Sequence, residues 1–383
     1  MNNSMIKKII AFVGIAALGF LLWNSRSTEP GSTALAPNVA SAAVIHSDCE
    51  AKPQPKEKTG CYKAAFEVYM KQNGGKKTLI LLDDLQNLGG YAKSNCHPLS
   101  HIVGNIALHV YGSVPKASPE YLPVCHSGYY HGLLEEYLAT APSYEEGVAK
   151  VCGSPKENYF NWFQCTHGLG HGIMQFRDDE VPQSVKDCDI LDPEYAAREI
   201  CYTGAFMENI TTEEKTGHKS KYTKPENPLY PCDIVERQYK SSCYFLSSSM
   251  ILKLNGWNFE QGFKWCDKAE ADFRHLCYQS MGRDVAGSTL RNDQESKRLC
   301  LYGGSEDARN NCYFGAVRDY INEKGEFDSA IRFCKFIDAD YQQYCYNGIF
   351  VDLALLQKGE TFLATCAKIP EPFRADCRSR VVY

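Results

Sequence analysis

Residues 259–278 read FEQGFKWCDKAEADFRHLCY, and residues 327–346 read FDSAIRFCKFIDADYQQYCY. In both, two apolar residues and a cysteine keep the i, i+4, i+7 spacing of one helix face: Phe259/Phe263/Cys266 and Phe327/Ile331/Cys334. A second cysteine follows 11 positions later, with an aromatic residue four before it and a tyrosine directly after, which places it on a second helix. Each stretch therefore predicts a helix pair joined by a short turn and a disulfide.

Working outward, the same cysteine pair recurs from Cys152 onward, 11 to 13 positions apart: Cys152/Cys165, Cys188/Cys201, Cys232/Cys243, Cys266/Cys277, Cys300/Cys312, Cys334/Cys345 and Cys366/Cys377. The first members advance by 36, 44, 34, 34, 34 and 32 residues, and the long step holds the polar stretch 211–231, read as a loop inserted into one repeat. Asp192-Pro193-Glu194 and Asp338-Ala339-Asp340 supply carboxylates expected to cap the second helices. Closing a loop of about 12 residues with a disulfide contributes roughly 2–4 kcal/mol, which suits thin repeats. Zinc thiolate sites are the weaker reading, since paired CxxC knuckles are absent. The predicted fold class is all-α: a disulfide-stapled αα-hairpin repeat, as a solenoid or curved helical array, preceded by an N-terminal membrane or export segment. The expected division is 1–23 as signal anchor or signal peptide, 24–45 as flexible tether, 46–180 as a His-rich helical region and 181–383 as cysteine-paired hairpins.

The compartment follows from the N-terminus, where Lys7 and Lys8 precede the apolar run IIAFVGIAALGFLLW at 9–23. Its length suits either a cleaved signal or an uncleaved anchor. Candidate cleavage triplets, Ala34-Leu35-Ala36 and Ala40-Ser41-Ala42, lie more than ten residues beyond Trp23, which favours an anchor. An exported, membrane-tethered body in an oxidising compartment, periplasmic or at the cell surface, accords with 18 cysteines in 383 residues. The 44% hydrophobic content supports a sizeable core, and a net charge of −5 without a basic stripe excludes a nucleic-acid partner. No nucleophile elbow, Walker loop, HExxH or EF-hand motif is present.

With its helix-pair period of about 34 residues over 150–383 and one cysteine pair per unit, the chain resembles in architecture the cysteine-rich Sel1-like and tetratricopeptide repeat proteins. The Trp and Leu-Gly signature of the tetratricopeptide repeat is absent, so the resemblance rests on period alone. It implies a curved αα-solenoid and a protein or peptide partner, and assigns no active residue.

The chemistry lies upstream, where seven of the ten histidines fall between His97 and His171. Three segments carry six of them: Cys96-His97-Pro-Leu-Ser-His101, Cys125-His126-Ser-Gly-Tyr-Tyr-His131 and Cys165-Thr-His167-Gly-Leu-Gly-His171. Each begins at a cysteine aligned with the second-helix cysteine of the later repeats, and the usual tyrosine after it has become His97, His126 or Thr166. His97/His101 and His167/His171 are i, i+4 pairs able to reach one ion. His126 and His131 are five apart, so His126 reaches the same place only from the helix entrance. Neighbouring helices about 8–10 Å apart would let these six imidazoles converge on one or two transition-metal ions, with zinc, copper or iron as candidates. Glu135, four after His131, is the candidate catalytic acid or base, and Glu208 is the nearest acid of the following repeat. The bland reading is a buried polar network or a His-lined groove for a peptide or anionic ligand. His109 extends the stripe, whereas His46, His218 and His275 read as loop or surface residues.

Two features have paired readings. The glycines of Gly168-Leu-Gly170-His-Gly172 either admit a substrate beside the imidazoles or let helices cross closely. Cys96 and Cys125, left over by the pairing rule, either form a disulfide or join the cluster as soft ligands or a redox couple. Two functions stand at this stage: an exported metalloenzyme, hydrolytic or oxidative, and a non-catalytic scaffold that binds a protein or peptide.

Overall fold

A computed structural model describes residues 36–140, 151–216 and 219–381. Among these, the secondary structure is entirely helical. The chain opens with α1 (Ala36–Glu50), α2 (Pro55–Asn73), α3 (Gly75–Leu88) and the short α4 (Gly90–Ser94). It then runs through α5 (Cys96–Tyr111), α6 (Val114–Ala117), α7 (Gly128–Thr140), α8 (Tyr159–Phe176), α9 (Val181–Asp187) and α10 (Ala197–Thr216). The later hairpins are α11 (Arg237–Leu254), α12 (Phe259–Cys266) with α13 (Arg274–Ser288), α14 (Asp293–Cys300) with α15 (Glu306–Asn322), α16 (Asp328–Phe336) with α17 (Ala339–Leu356), and α18 (Gly359–Ala367) with α19 (Glu371–Ser379).

Nine disulfides join all 18 cysteines, in the pairs expected from the spacing together with Cys49–Cys61 and Cys96–Cys125. In α12/α13, α14/α15 and α16/α17 each bond ties the end of a short helix to the longer helix that follows. The long helices α5, α7, α8, α10, α11, α13, α15 and α17 pack side by side in chain order. The tyrosines after the second cysteines, Tyr202, Tyr244, Tyr278, Tyr313 and Tyr346, are buried between the layers. So are the stripes Val181/Val185/Cys188 and Phe259/Phe263/Cys266. The array curls back on itself. The Gln164 amide of α8 donates to Asn322 Oδ1 of α15 at 3.1 Å, and Arg291, just past α13, reaches His126.

Local expectations and outcomes differ in three places. Helix α1 begins inside the stretch expected as tether, because its alanines favour helix and its end is stapled and buried at Cys49. Helix α10 extends to Thr216 and takes up the first turns of the expected 211–231 loop. Caps come from Asn158, Asn258, Asn292 and Ser305, whose side chains accept from the amide three residues on. Asp192 does accept from the Glu194 amide at 2.9 Å, but the Asp338 carboxylate is taken by Lys297. No helix among the described residues is long and apolar enough to cross a membrane. The apolar run at 9–23 lies outside them.

The helices that carry the histidines cross with almost no space between their backbones. A Cβ on Gly132 of α7 would come within 1.8 Å of the His101 carbonyl oxygen, and one on Gly104 of α5 within 1.9 Å of the Tyr129 carbonyl oxygen. Gly170 of α8 and Gly204 of α10 form the same reciprocal contact, at 2.1 and 1.9 Å. The glycines of the 168–172 segment are thus filled by helix crossing: Gly168 faces Leu134 and the Tyr130 carbonyl, and Gly172 faces Leu138. Only glycine permits this approach, and it offsets the helix-propensity cost of about 1 kcal/mol each.

Candidate metal centre

That crossing brings α5, α7, α8 and α10 close enough for their imidazoles to meet. His101, His131, His167 and His171 are buried, and His97 sits half-buried at the rim. Two groups of three have ligand atoms within 4.8 Å of one another: His97/His101/His131 and His131/His167/His171. A third group, Glu135/His171/Glu208, adjoins them. The sequence-predicted set therefore converges in five of its six histidines.

The hydrogen bonds behind each ring decide what the rings present in front. His97 Nδ1 lies 2.9 Å from the Cys125 carbonyl oxygen, which can only accept. His101 Nδ1 lies 2.9 Å from Glu135 Oε1, and His171 Nδ1 lies 2.7 Å from Glu208 Oε2. His167 Nδ1 meets Thr203 Oγ1 at 2.9 Å; that hydroxyl gives its own proton to the Ile200 carbonyl at 2.7 Å, so it accepts from the ring. Each of these four rings carries its proton on Nδ1, leaving a lone pair on Nε2. Those lone pairs face one another: His97 Nε2 and His101 Nε2 are 3.0 Å apart, and His167 Nε2 and His171 Nε2 are 3.3 Å apart.

Facing lone pairs repel unless a cation lies between them. Burial, reinforced by the neighbouring rings, holds His97, His131 and His167 well below the usual imidazole range, so these rings offer neutral nitrogens. A metal ion fits the gaps between the facing pairs. Tetrahedral ligation with bonds of about 2.0–2.1 Å sets donor nitrogens about 3.3–3.4 Å apart.

The remaining sequence candidates separate by position. Glu135 lies behind His101, and its Oε1 is also 3.8 Å from His171 Nδ1, so it orients rings at the back of the cluster. His126 precedes α7, as its spacing required, in a left-handed turn with Cys125 and Ser127 (φ 52°, 54° and 59°). That turn carries the ring away from the ligand groups onto Arg291, whose Nη2 donates to His126 Nε2 at 2.6 Å. Arg291 also pairs with Asp319 and Glu323. His109 is exposed and pairs with Glu136 at 2.8 Å, and Asn105 donates to the same carboxylate. His46 bonds the Gly89 carbonyl and His275 is exposed, both outside the cluster, while His218 lies outside the described residues. Cys96 and Cys125 form a disulfide, which removes them as thiolate ligands. Sequence reasoning missed Thr203 and the Cys125 carbonyl; a backbone carbonyl leaves no trace in a pattern of side chains. Beside the centre, Phe163 stacks on His167 and lines a pocket with Tyr159, Arg283, Arg318 and Asp352.

No family model, curated protein or solved structure matches the chain.

Proposed function

We propose that this protein is an exported, membrane-tethered helical-repeat metalloprotein, whose α5–α10 segment holds a transition-metal centre in a body stapled for an oxidising compartment. The observation that carries the reading is the four Nε2 lone pairs, turned toward one another in two pairs because each Nδ1 is committed to an acceptor. An all-imidazole donor set backed by two carboxylates suits zinc, copper or iron. Glu135 and Glu208 act in this reading as positioning residues: they fix ring tautomers and raise the donor strength of His101 and His171.

The test is elemental analysis of the full chain, purified without a His tag from an oxidising compartment. A transition metal is expected to co-purify. His101→Ala and His171→Ala are each expected to lower its content, and His275→Ala, on the exposed face of α13, is expected to leave it unchanged. Loss in all three variants, or in none, overturns the proposal.

A further inference from the structure

His131 is the one ring of the five whose Nδ1 is not committed to a carbonyl, hydroxyl or carboxylate. Its Nδ1 lies 3.3 Å from His101 Nε2, where the first group gathers, and its buried Nε2 has no hydrogen-bond partner among the described residues. It is also the only member common to the two histidine groups. Its ring stands edge-on to His97 and His101, with centroids 5.1 and 5.0 Å away, and stacks on His171 at 4.6 Å. The two nitrogens of an imidazole point to opposite sides of the ring, so one ring between two donor groups serves both. From this arrangement, and resting on the metal centre above, we infer that the site is dinuclear, with His131 bridging two ions as an imidazolate.

The first ion takes His97 Nε2, His101 Nε2 and His131 Nδ1; the second takes His131 Nε2, His167 Nε2 and His171 Nε2. Binding of both ions releases the His131 ring proton to solvent, and no electron is transferred. Three protein nitrogens per ion leave a coordination position open at each, as in sites that act on a ligand rather than merely hold a fold together. The ion class is one that accepts trigonal nitrogen ligation and binds imidazolate, namely divalent copper or zinc.

Copper tests the bridge because two Cu(II) ions joined by an imidazolate couple their spins. The full chain, stripped with chelator, is loaded with Cu(II), freed of loosely held copper with a weak competing chelator, and measured for copper content and electron paramagnetic resonance intensity. The expected result is two copper ions per chain with most of the spin signal lost. In His131→Ala the signal per copper is expected to return to that of isolated ions. In His97→Gln, altered at the rim where folding is least at risk, one copper is expected to remain, with its full signal. Two ions with full signal in the parent chain, or a single ion, overturn the bridge and leave the metal centre standing. No metal retained when copper, zinc and cobalt are each loaded in turn overturns both.

Discussion

Replacing one residue tests whether orientation matters beyond ligation. Glu208 touches no proposed ion; it holds the His171 Nδ1 proton at 2.7 Å. Glu208→Gln keeps the shape and removes the charge. Metal affinity, read by competition with a buffered chelator, is expected to fall about 10- to 100-fold while helical content is unchanged. An unchanged affinity would show that the carboxylate is packing and not part of the centre. At this scale the sequence was informative: the i, i+4 histidine pairs stood out by spacing, and Glu208 as the nearest acid of the following repeat. What spacing did not reveal was direction. His126 and His97 each follow a cysteine, yet only His97 lies on a helix whose face meets α7, while the left-handed turn at 125–127 commits His126 to Arg291.

Among elements, the centre depends on two nearly touching helix crossings. A methyl group on Gly132 would meet the His101 carbonyl carbon at 2.5 Å as well as its oxygen, both main-chain atoms that cannot rotate away. Gly132→Ala is therefore expected to cost at least about 2 kcal/mol, seen as a lower thermal midpoint, and to lower metal content by separating α5 from α7. Gly112→Ala is the informative contrast: its site is open, but its left-handed φ of 76° strains any side chain. It should lower stability through the backbone alone and leave metal content intact. The sequence displayed these glycines without saying what filled them, because propensity reports their cost and only the crossing reports the compensation. Helix periods were legible for the opposite reason: a stripe such as Phe259/Phe263/Cys266 states both the element and the face it buries. The caps were legible in kind but not in place, since Asp338 was drawn off by Lys297, a partner 41 residues away in sequence.

For the whole molecule, stability is spread over many short closures, so damage far from the centre should stay local. Replacing Cys334 and Cys345 together by serine opens a loop of 11 positions between α16 and α17, a hairpin that carries none of the histidines. The expected cost is about 2–4 kcal/mol, read as an earlier denaturant midpoint, with metal content unchanged. A parallel loss of metal would mean that the array folds as one cooperative body whose far end governs the centre. The curl of the array, through Gln164 with Asn322 and Arg291 with His126, is the route such coupling would take.

The order of the nine disulfides along the chain has a further consequence. The cysteines are bonded strictly in chain order, first with second, third with fourth, and so to Cys366 with Cys377, with no bond enclosing or interleaving another. A chain that emerges N-terminus first into an oxidant thus reaches its native connectivity by coupling each arriving thiol to the one just before it. Eighteen thiols offer an enormous number of wrong matings, and the native set is the one in which each pair closes before the next cysteine arrives.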